Sequence, residues 1–249
     1  MLKELKILIH QGSQYIRDVR SVEVPGIYKG RPVITTVACD ENALAGLCPT
    51  GAITLSPFCL DLGKCLFCGA CAFQSPDKIK FTKDYHLSVN RRDDLMIREG
   101  SDTLLTLDSS VVRTELRKMF TGSFKLRQVS AAGDNSAELE LNATGNVQFD
   151  AGRFGFEFVA SPRHADALVI TGPISENMAE PLGICYRDTP SPKAIILCGT
   201  DAISGGIFQG SPALNREFLD KHPVDLYIPG NPPHPLTFIN GILNLIGRN

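Results

Sequence analysis

The chain has 249 residues, 25 basic against 27 acidic side chains, and eight cysteines. This length allows a full hydrophobic core and favours two domains. The near-neutral charge balance excludes an extended electrostatic footprint for nucleic acid or for an anionic surface. No apolar run is long enough to cross a bilayer and the N-terminus lacks the features of a signal peptide, so we expect a soluble chain in a reducing compartment.

Residues 1–32 are predicted to form a short helix followed by an extended arm. The helix has an apolar face, made by Leu2, Leu5, Leu8 and Ile9. Two prolines, at positions 25 and 32, favour the extended course of the arm. We expect the apolar face to pack against this chain or against a partner rather than to anchor the chain in a membrane.

Residues 33–90 contain a cysteine pattern typical of a ferredoxin-like domain. Cys65, Cys68 and Cys71 have C-x-x-C-x-x-C spacing, and Cys48 opens a Cys-Pro-Thr-Gly-Ala-Ile run upstream. Bacterial ferredoxins take three ligands of a 4Fe–4S cluster from one tight loop and the fourth from a distant Cys-Pro. The pattern therefore predicts one 4Fe–4S cluster, held by these four cysteines, in an α+β unit with short strands near residues 52–55 and 79–82.

A second cluster is not expected in this unit. The positions that would supply three of its ligands hold Ala38, Glu41 and Leu44. The second half of the motif ends in Ser75-Pro76 instead of Cys-Pro. In a ferredoxin with two clusters, both losses would affect the same cluster, so the other cluster keeps all four of its ligands. A structural zinc site is the alternative, but zinc ribbons pair two C-x-x-C units and need no further cysteine.

A polar linker is predicted over residues 91–107, and the pattern then changes over residues 108–249. Asp108 is expected to cap a helix over 109–120. Five β-rich runs follow: FKLRQVS, FGFEFVA, ADALVITG, KAIILCG and VDLYIPG. The helices between and after them are predicted over 136–143, 176–186, 212–221 and 235–246. This alternation predicts an α/β domain with a parallel sheet, and its chemistry is expected in loops 132–137, 199–206 and 229–233, after the strands.

This second half closely resembles a known family. The motifs RFGFEFVASPRHADALVITGPISENM, AISGGIF and LYIPGNPPHPL resemble, over about residues 118–247, the small subunit of membrane-bound, energy-converting NiFe hydrogenases of the formate-hydrogenlyase type. That subunit is homologous to the 20 kDa subunit of NADH:quinone oxidoreductase. The resemblance implies a flavodoxin-like fold and an iron–sulfur subunit that exchanges electrons with a large, hydrogenase-like or 49 kDa-like subunit. It also implies membrane-arm partners and a cytoplasmic location, peripheral on the inner face of the membrane.

The same resemblance implies a proximal 4Fe–4S cluster, whose four cysteines are absent here. The family pattern Gly-Ser-Cys-x-x-Cys-x-x-Glu has Asp134 and Ala137 at its cysteine positions. The pattern Cys-Ala-Ile-Ser-Gly-Gly begins with Asp201, and Pro-Gly-Cys-Pro-Pro has Asn231 at its centre. Carboxylate and amide groups are poor substitutes for thiolate on iron–sulfur. We therefore expect the α/β domain to lack this cluster.

Two expectations concern the polar residues at and near these vacated positions. Asp134, Asp201, Asn231 and His234 form an oxygen-rich set, but nothing in the sequence selects metal geometry. Buried carboxylates are costly without partners, so we expect both aspartates to be paired, hydrogen-bonded or solvated. Arg163 is a candidate partner for either one, and an ordinary surface cation is the alternative.

The other four cysteines are not expected to bind a cofactor. Cys185 and Cys198 lie in a predicted helix and a predicted strand, where cysteine is usually a small buried hydrophobic residue. Cys39 and Cys59 flank the ferredoxin-like unit, and their spacing completes no second site.

No residues of the chain form a recognisable catalytic set. An acid/base pair, an activated nucleophile and a nucleotide-binding loop are all missing from the sequence. We therefore expect an iron–sulfur electron-transfer or scaffold subunit with no catalytic residues of its own. Two alternatives stay open: a protein-binding or regulatory module with a structural cluster, and a carrier that exchanges electrons with a soluble partner.

Overall fold

The computed structural model of the chain describes residues 2–119 and 122–248. It begins with helix α1 (Leu2–Gln11), in which no residue is buried. The predicted apolar face is exposed, with 76% of Leu2 and 73% of Ile9 accessible to solvent. Within the described residues, this face therefore packs against nothing in its own chain. No helix in the same residues is both long and apolar enough to cross a membrane.

The cysteine-bearing unit consists of two small antiparallel sheets and two short helices. In chain order its elements are β1 (Pro32–Ile34), α2 (Glu41–Leu47), β2 (Ile53–Leu55), β3 (Phe58–Asp61), α3 (Ala70–Gln74), β4 (Ile79–Phe81) and β5 (Met96–Arg98). β1 pairs with β4, and β3 lies between β2 and β5. Asp40 caps α2, because its Oδ1 accepts the N–H of Ala43 at 3.0 Å. The predicted strands near 52–55 and 79–82 are present, whereas the ferredoxin-like identity of the unit stays a prediction.

Part of the predicted linker 91–107 is ordered structure. A 3-10 turn, Arg92–Leu95, leads into β5, which pairs antiparallel with β3. Leu95 and Ile97 are buried in the core of the unit. The charged residues on either side of residues 95–97, such as Asp94 and Arg98, concealed this short strand. The domain boundaries drawn from the sequence stay predictions.

The second half contains a five-stranded parallel sheet. In chain order its elements are α4 (Thr114–Met119), β6 (Phe124–Ser130), α5 (Ser136–Ala143), β7 (Phe156–Phe158), β8 (Ala167–Thr171), α6 (Glu176–Asp188), β9 (Ala194–Cys198), α7 (Thr200–Ser204), α8 (Glu217–Lys221), β10 (Leu226–Ile228) and α9 (Pro235–Ile246). The strand order is β10-β9-β8-β6-β7, and every neighbouring pair is parallel. The order reverses between β6 and β8, as in flavodoxin-like folds. The predicted α/β class and flavodoxin-like sheet are confirmed.

The sheet separates two hydrophobic cores. Every residue of β8 and β9 is buried, as expected for strands covered on both faces. One core joins the sheet to α9 through side chains such as Phe238 and Ile242. The other core joins Leu168 and Ile170 of β8 to Leu60 of the cysteine-bearing unit. The two halves of the chain are thus packed together through one of these cores.

Two predicted helices are shorter than expected. Asp108 caps a 3-10 turn, Ser109–Val111, instead of one continuous helix, because β-branched Val112 is extended. The predicted end of that helix at Phe120 lies outside the described residues. Within 212–221 only α8 is helical, since the N–H of Glu176 donates to the Ala213 carbonyl and ties this stretch to the start of α6.

Candidate iron-sulfur site

The turn between β3 and α3 is held in place by an ion pair. Asp61 is buried; its Oδ1 accepts the N–H of Gly63 at 2.8 Å, and its Oδ2 lies 2.6 Å from Nη2 of Arg92. Phe67 and Gly69 have positive φ angles of 53° and 80°. A side chain at position 69 would be strained and would also meet Lys29. These features reverse the chain tightly enough for closely spaced side chains to converge.

The structure brings the four predicted ligands together. Cys65 is buried, Cys48 and Cys71 are half-buried, and Cys68 is exposed. Burial raises the pKa of Cys65 to about 12; a hydrogen bond from the Phe67 N–H opposes the rise, and the charges of the other three cysteines add to it. Cys48, Cys68 and Cys71 are thus near enough for their charges to act on Cys65. Metal coordination would replace the protons of these thiols.

The donor set fits a 4Fe–4S cluster. The N–H of Ala52 donates to Cys48 Sγ at 3.3 Å, and the N–H of Phe67 donates to Cys65 Sγ at 3.3 Å. Hydrogen bonds of this kind stabilise thiolates and set cluster potentials. In the described ranges no three His, Cys, Asp or Glu side chains gather around a position for a single metal ion. Four thiolates are the ligand set of a 4Fe–4S cubane and also of a structural zinc ion, so the cluster at these cysteines stays a prediction.

An ion triad includes one of the positions at which a second ferredoxin cluster would need a cysteine. Glu41 and Leu44 occupy two of its expected cysteine positions, and Leu44 is fully buried. Lys78 Nζ lies 3.1 Å from Glu41 Oε1 and 2.5 Å from Glu99 Oε1, and 4.7 Å from the centre of the Phe58 ring. Burial lowers the pKa of Lys78, but the two hydrogen bonds outweigh it and raise the pKa above its ordinary value. Fixed charges and an apolar side chain thus replace the ligands.

The four vacated proximal positions also converge. Asp134, Ala137, Asp201 and Asn231 line one cavity, formed by the loops after β6, β9 and β10. Its volume is about 10 Å³. Such a cavity holds at most a single water molecule and has no room for a cubane. Cys198 also lines it, and burial raises the pKa of this thiol. The residues that line this pocket therefore do not fit the proximal cluster, and the absence of that cluster stays a prediction.

The two aspartates of this pocket differ in their surroundings. Asp134 is exposed and accepts hydrogen bonds from the N–H and the hydroxyl of Ser136, at 2.9 and 2.6 Å, which lower its pKa. Asp201 is half-buried, and burial together with the charges of Asp134 and Glu138 raises its pKa. Both agree with the expectation of hydrogen bonding or solvation. Arg163 is exposed and forms an ion pair with neither, so the proposed pairing is wrong and the surface-cation alternative holds.

His234 does not complete a metal site with these residues. Its Nδ1 accepts the N–H of Leu236 at 3.1 Å. Its ring meets those of Tyr28 and Phe149 edge-on, with centroids 5.3 and 5.9 Å away. Burial lowers the pKa of His234. The side chain is therefore a helix cap and a packing residue.

The other four cysteines differ in burial. Cys198 is fully buried in β9, whereas Cys185 on α6 is only half-buried. Cys59 is buried, with Thr54 Oγ1 2.7 Å from its sulfur, and Cys39 is half-buried. Neither Cys39 nor Cys59 belongs to a further cysteine site within the described residues.

Asp201→Asn is expected to stabilise the chain at pH 7 by roughly 0.5–1 kcal/mol. Because the folded-state pKa of Asp201 is raised, its charged form opposes folding above the unfolded pKa. The gain should be complete at pH 7 and nearly vanish at about pH 3, where the side chain is mostly protonated in both states. Urea titrations at the two pH values measure it. Asp134→Asn is the control and should lose stability. If Asp201→Asn were less stable than the wild type at pH 7, the carboxylate of Asp201 would have a stabilising partner.

Comparison with known proteins finds a family match in the parallel-sheet half. A family model described as "NADH ubiquinone oxidoreductase, 20 Kd subunit" matches residues 135–245. A probable membrane-bound hydrogenase subunit of Pyrococcus furiosus is 36% identical over 115 residues, which are 46% of this chain and 69% of that protein. Formate hydrogenlyase subunit 7 of Escherichia coli is 37% identical over 150 residues, 59% of each chain.

A third relative comes from another kind of complex. An NADH-quinone oxidoreductase subunit of Desulfovibrio desulfuricans is 41% identical over 107 residues, 43% of this chain and 58% of that protein. The chain thus spans from 58% to 69% of the lengths of these relatives. The family match begins after the cysteine-bearing unit, so it neither supports nor opposes the cluster predicted there.

Proposed function

Because the chain belongs to the family of the 20 kDa subunit of NADH ubiquinone oxidoreductase, we propose that it is an iron–sulfur subunit of a hydrogenase-like or complex-I-like oxidoreductase. Its relatives are named as subunits of a membrane-bound hydrogenase, a formate hydrogenlyase and an NADH-quinone oxidoreductase. We place it at the periphery of such a membrane-associated assembly, with a large hydrogenase-like or 49 kDa-like subunit and membrane-arm subunits as partners.

The convergence of four cysteines in the N-terminal unit carries the proposal. Cys48, Cys65, Cys68 and Cys71 would hold one 4Fe–4S cluster, which supplies one-electron transfer when bound. The chain's own residues bury Cys65, donate N–H groups to two of the sulfurs and leave Cys68 at the surface. The exposed ligand marks the side from which a redox partner can approach. The proximal pocket has no room for a cluster. This supports the view that any electron transfer through the chain uses the site of these four cysteines.

Redox cycling with the natural partner tests the proposal. The chain is purified anaerobically together with any large subunit that co-purifies with it, and the cluster is followed by EPR during reduction and reoxidation. We expect a cluster that is reduced in the ferredoxin range and oxidised by the co-purifying subunit. A cluster that changes oxidation state only with loss of iron would favour the alternative, a binding or regulatory module with a structural cluster. Cys185→Ser is the control and should cycle like the wild type.

A further inference from the structure

Thr200, the first residue of α7, connects the parallel sheet to the segment between β3 and α3, residues 62–69, which we call the cysteine loop. It is fully buried, and its Oγ1 donates to the carbonyl oxygen of Cys65 at 2.8 Å. The same hydroxyl lies 3.2 Å from the Gly230 carbonyl, which already accepts the N–H of Thr200 at 2.8 Å. Thr200 directly precedes Asp201, one of the vacated proximal positions. A loop from the vacated pocket therefore contacts the intact cysteine site.

Apolar contacts reinforce this connection. Ile203, on the next turn of α7, packs against the backbone of Gly63, where an added Cβ would lie 2.8 Å from Ile203 Cγ2. Ala202 and Ile203 belong to the same buried core as Leu62 and Cys65. The start of α7 and the side chain of Arg92 both pack at Gly63, so together they fix the cysteine loop.

The hydroxyl of Thr200 is the important group because Cys65 is the buried one of the four cysteines. No other hydrogen bond to its carbonyl occurs in the part of the chain that the structure describes. A buried carbonyl without a donor is costly. Groups that contact the backbone of a ligand also set its orientation and the electric field at the metal. Removing this donor should consequently change the cluster as well as the stability of the fold.

We propose that Thr200 is a positioning residue for the iron–sulfur cluster. The loop after β9 has lost its own ligand position at Asp201 and now fixes the backbone of the deepest ligand, Cys65. This inference rests on the proposed function, because it requires a cluster at the four cysteines. If Thr200 has this role, the parallel-sheet half helps to determine the properties of that cluster through its contact with Cys65.

Thr200→Val tests the proposal, because it keeps the size of the side chain and removes the donor. We expect loss of iron to a chelator to become about tenfold faster, together with a shifted midpoint potential and an altered EPR spectrum. Thr200→Ser should restore all three properties. Thr171→Val is the matched control: Thr171 is also fully buried, lies on β8 and donates to Glu138 Oε1 at 2.6 Å without touching the cysteine loop. It should lower thermal stability and leave the potential and spectrum unchanged.

The outcomes separate this inference from the proposed function. A wild-type chain without iron would overturn both. A wild-type cluster whose potential and spectrum are the same in Thr200→Val would overturn the inference alone. An equal change in Thr171→Val would also overturn it, since the effect would then follow general destabilisation. If Thr200→Val does not fold, Thr200→Ala is measured instead, with the same expected and contradicting results.

Discussion

Cys48→Ser and Cys68→Ser are expected to lose the iron and the visible absorption of the anaerobically purified chain. A serine hydroxyl stays protonated near neutral pH and does not replace a thiolate on iron–sulfur. The two positions sample both segments of the site, the upstream Cys-Pro and the tight loop. Iron and sulfide per chain, measured together with absorption, give the result directly.

Cysteines outside the site provide the controls for this experiment. Cys39→Ser and Cys59→Ser change the same unit and are expected to keep the iron, as is Cys198→Ser in the parallel-sheet half. Loss of iron in Cys39→Ser equal to that in Cys68→Ser would contradict the assigned ligands. Full retention of iron in Cys48→Ser would show that the fourth ligand is another residue.

Lys78→Ala is expected to lower the free energy of unfolding by about 3 kcal/mol. Removal of one partner from a buried ion pair typically costs about 3–5 kcal/mol, and the carboxylates of Glu41 and Glu99, 34% and 31% exposed, can recover part of this by hydration. Because the folded-state pKa of Lys78 is raised, its contribution is complete at neutral pH and is lost only as the pH rises through that pKa. Urea titration of the anaerobic protein at pH 7 measures the effect.

The neighbouring strand residue Lys80 supplies the control. It is exposed on β4, so Lys80→Ala should change the stability by less than about 0.5 kcal/mol. Replacing all three members of the triad, with Lys78→Met, Glu41→Gln and Glu99→Gln, should recover most of the loss, because no buried charge is left unpaired. If Lys78→Ala were as stable as Lys80→Ala, the triad would not contribute to the stability of the unit.

The sequence predicts the sheet and the ligand positions because both depend on local patterns. The continuously apolar runs that became β8 and β9 are long enough to indicate buried parallel strands. The spacing of Cys65, Cys68 and Cys71 is likewise a local property, since one turn holds all three. The vacated positions could be placed together because the loops after parallel strands lie at one edge of the sheet.

The features that the sequence does not predict depend on contacts between distant segments. Lys78 could not be distinguished from exposed lysines such as Lys80, because its burial arises from Glu41 and Glu99 in other elements. The hydrogen bond from Thr200 to Cys65 joins residues 135 positions apart. The segment 212–221 lost half of its predicted helix to a bridge with the start of α6. In each case tertiary contacts override local preference.

The two halves of the chain have different roles. The parallel-sheet half retains the family fold, but its cluster pocket is closed and contains carboxylates. The cysteine-bearing unit holds the four thiols, and Thr200 of α7 donates a hydrogen bond to the backbone carbonyl of Cys65. We propose that this unit carries the single redox centre of the chain.

The iron and acid-labile sulfide content of the anaerobically purified wild-type chain tests that claim most directly. We predict about four irons and about four sulfides per chain, with the EPR spectrum of one 4Fe–4S cluster after reduction. Roughly eight irons per chain, or zinc without sulfide, would contradict it.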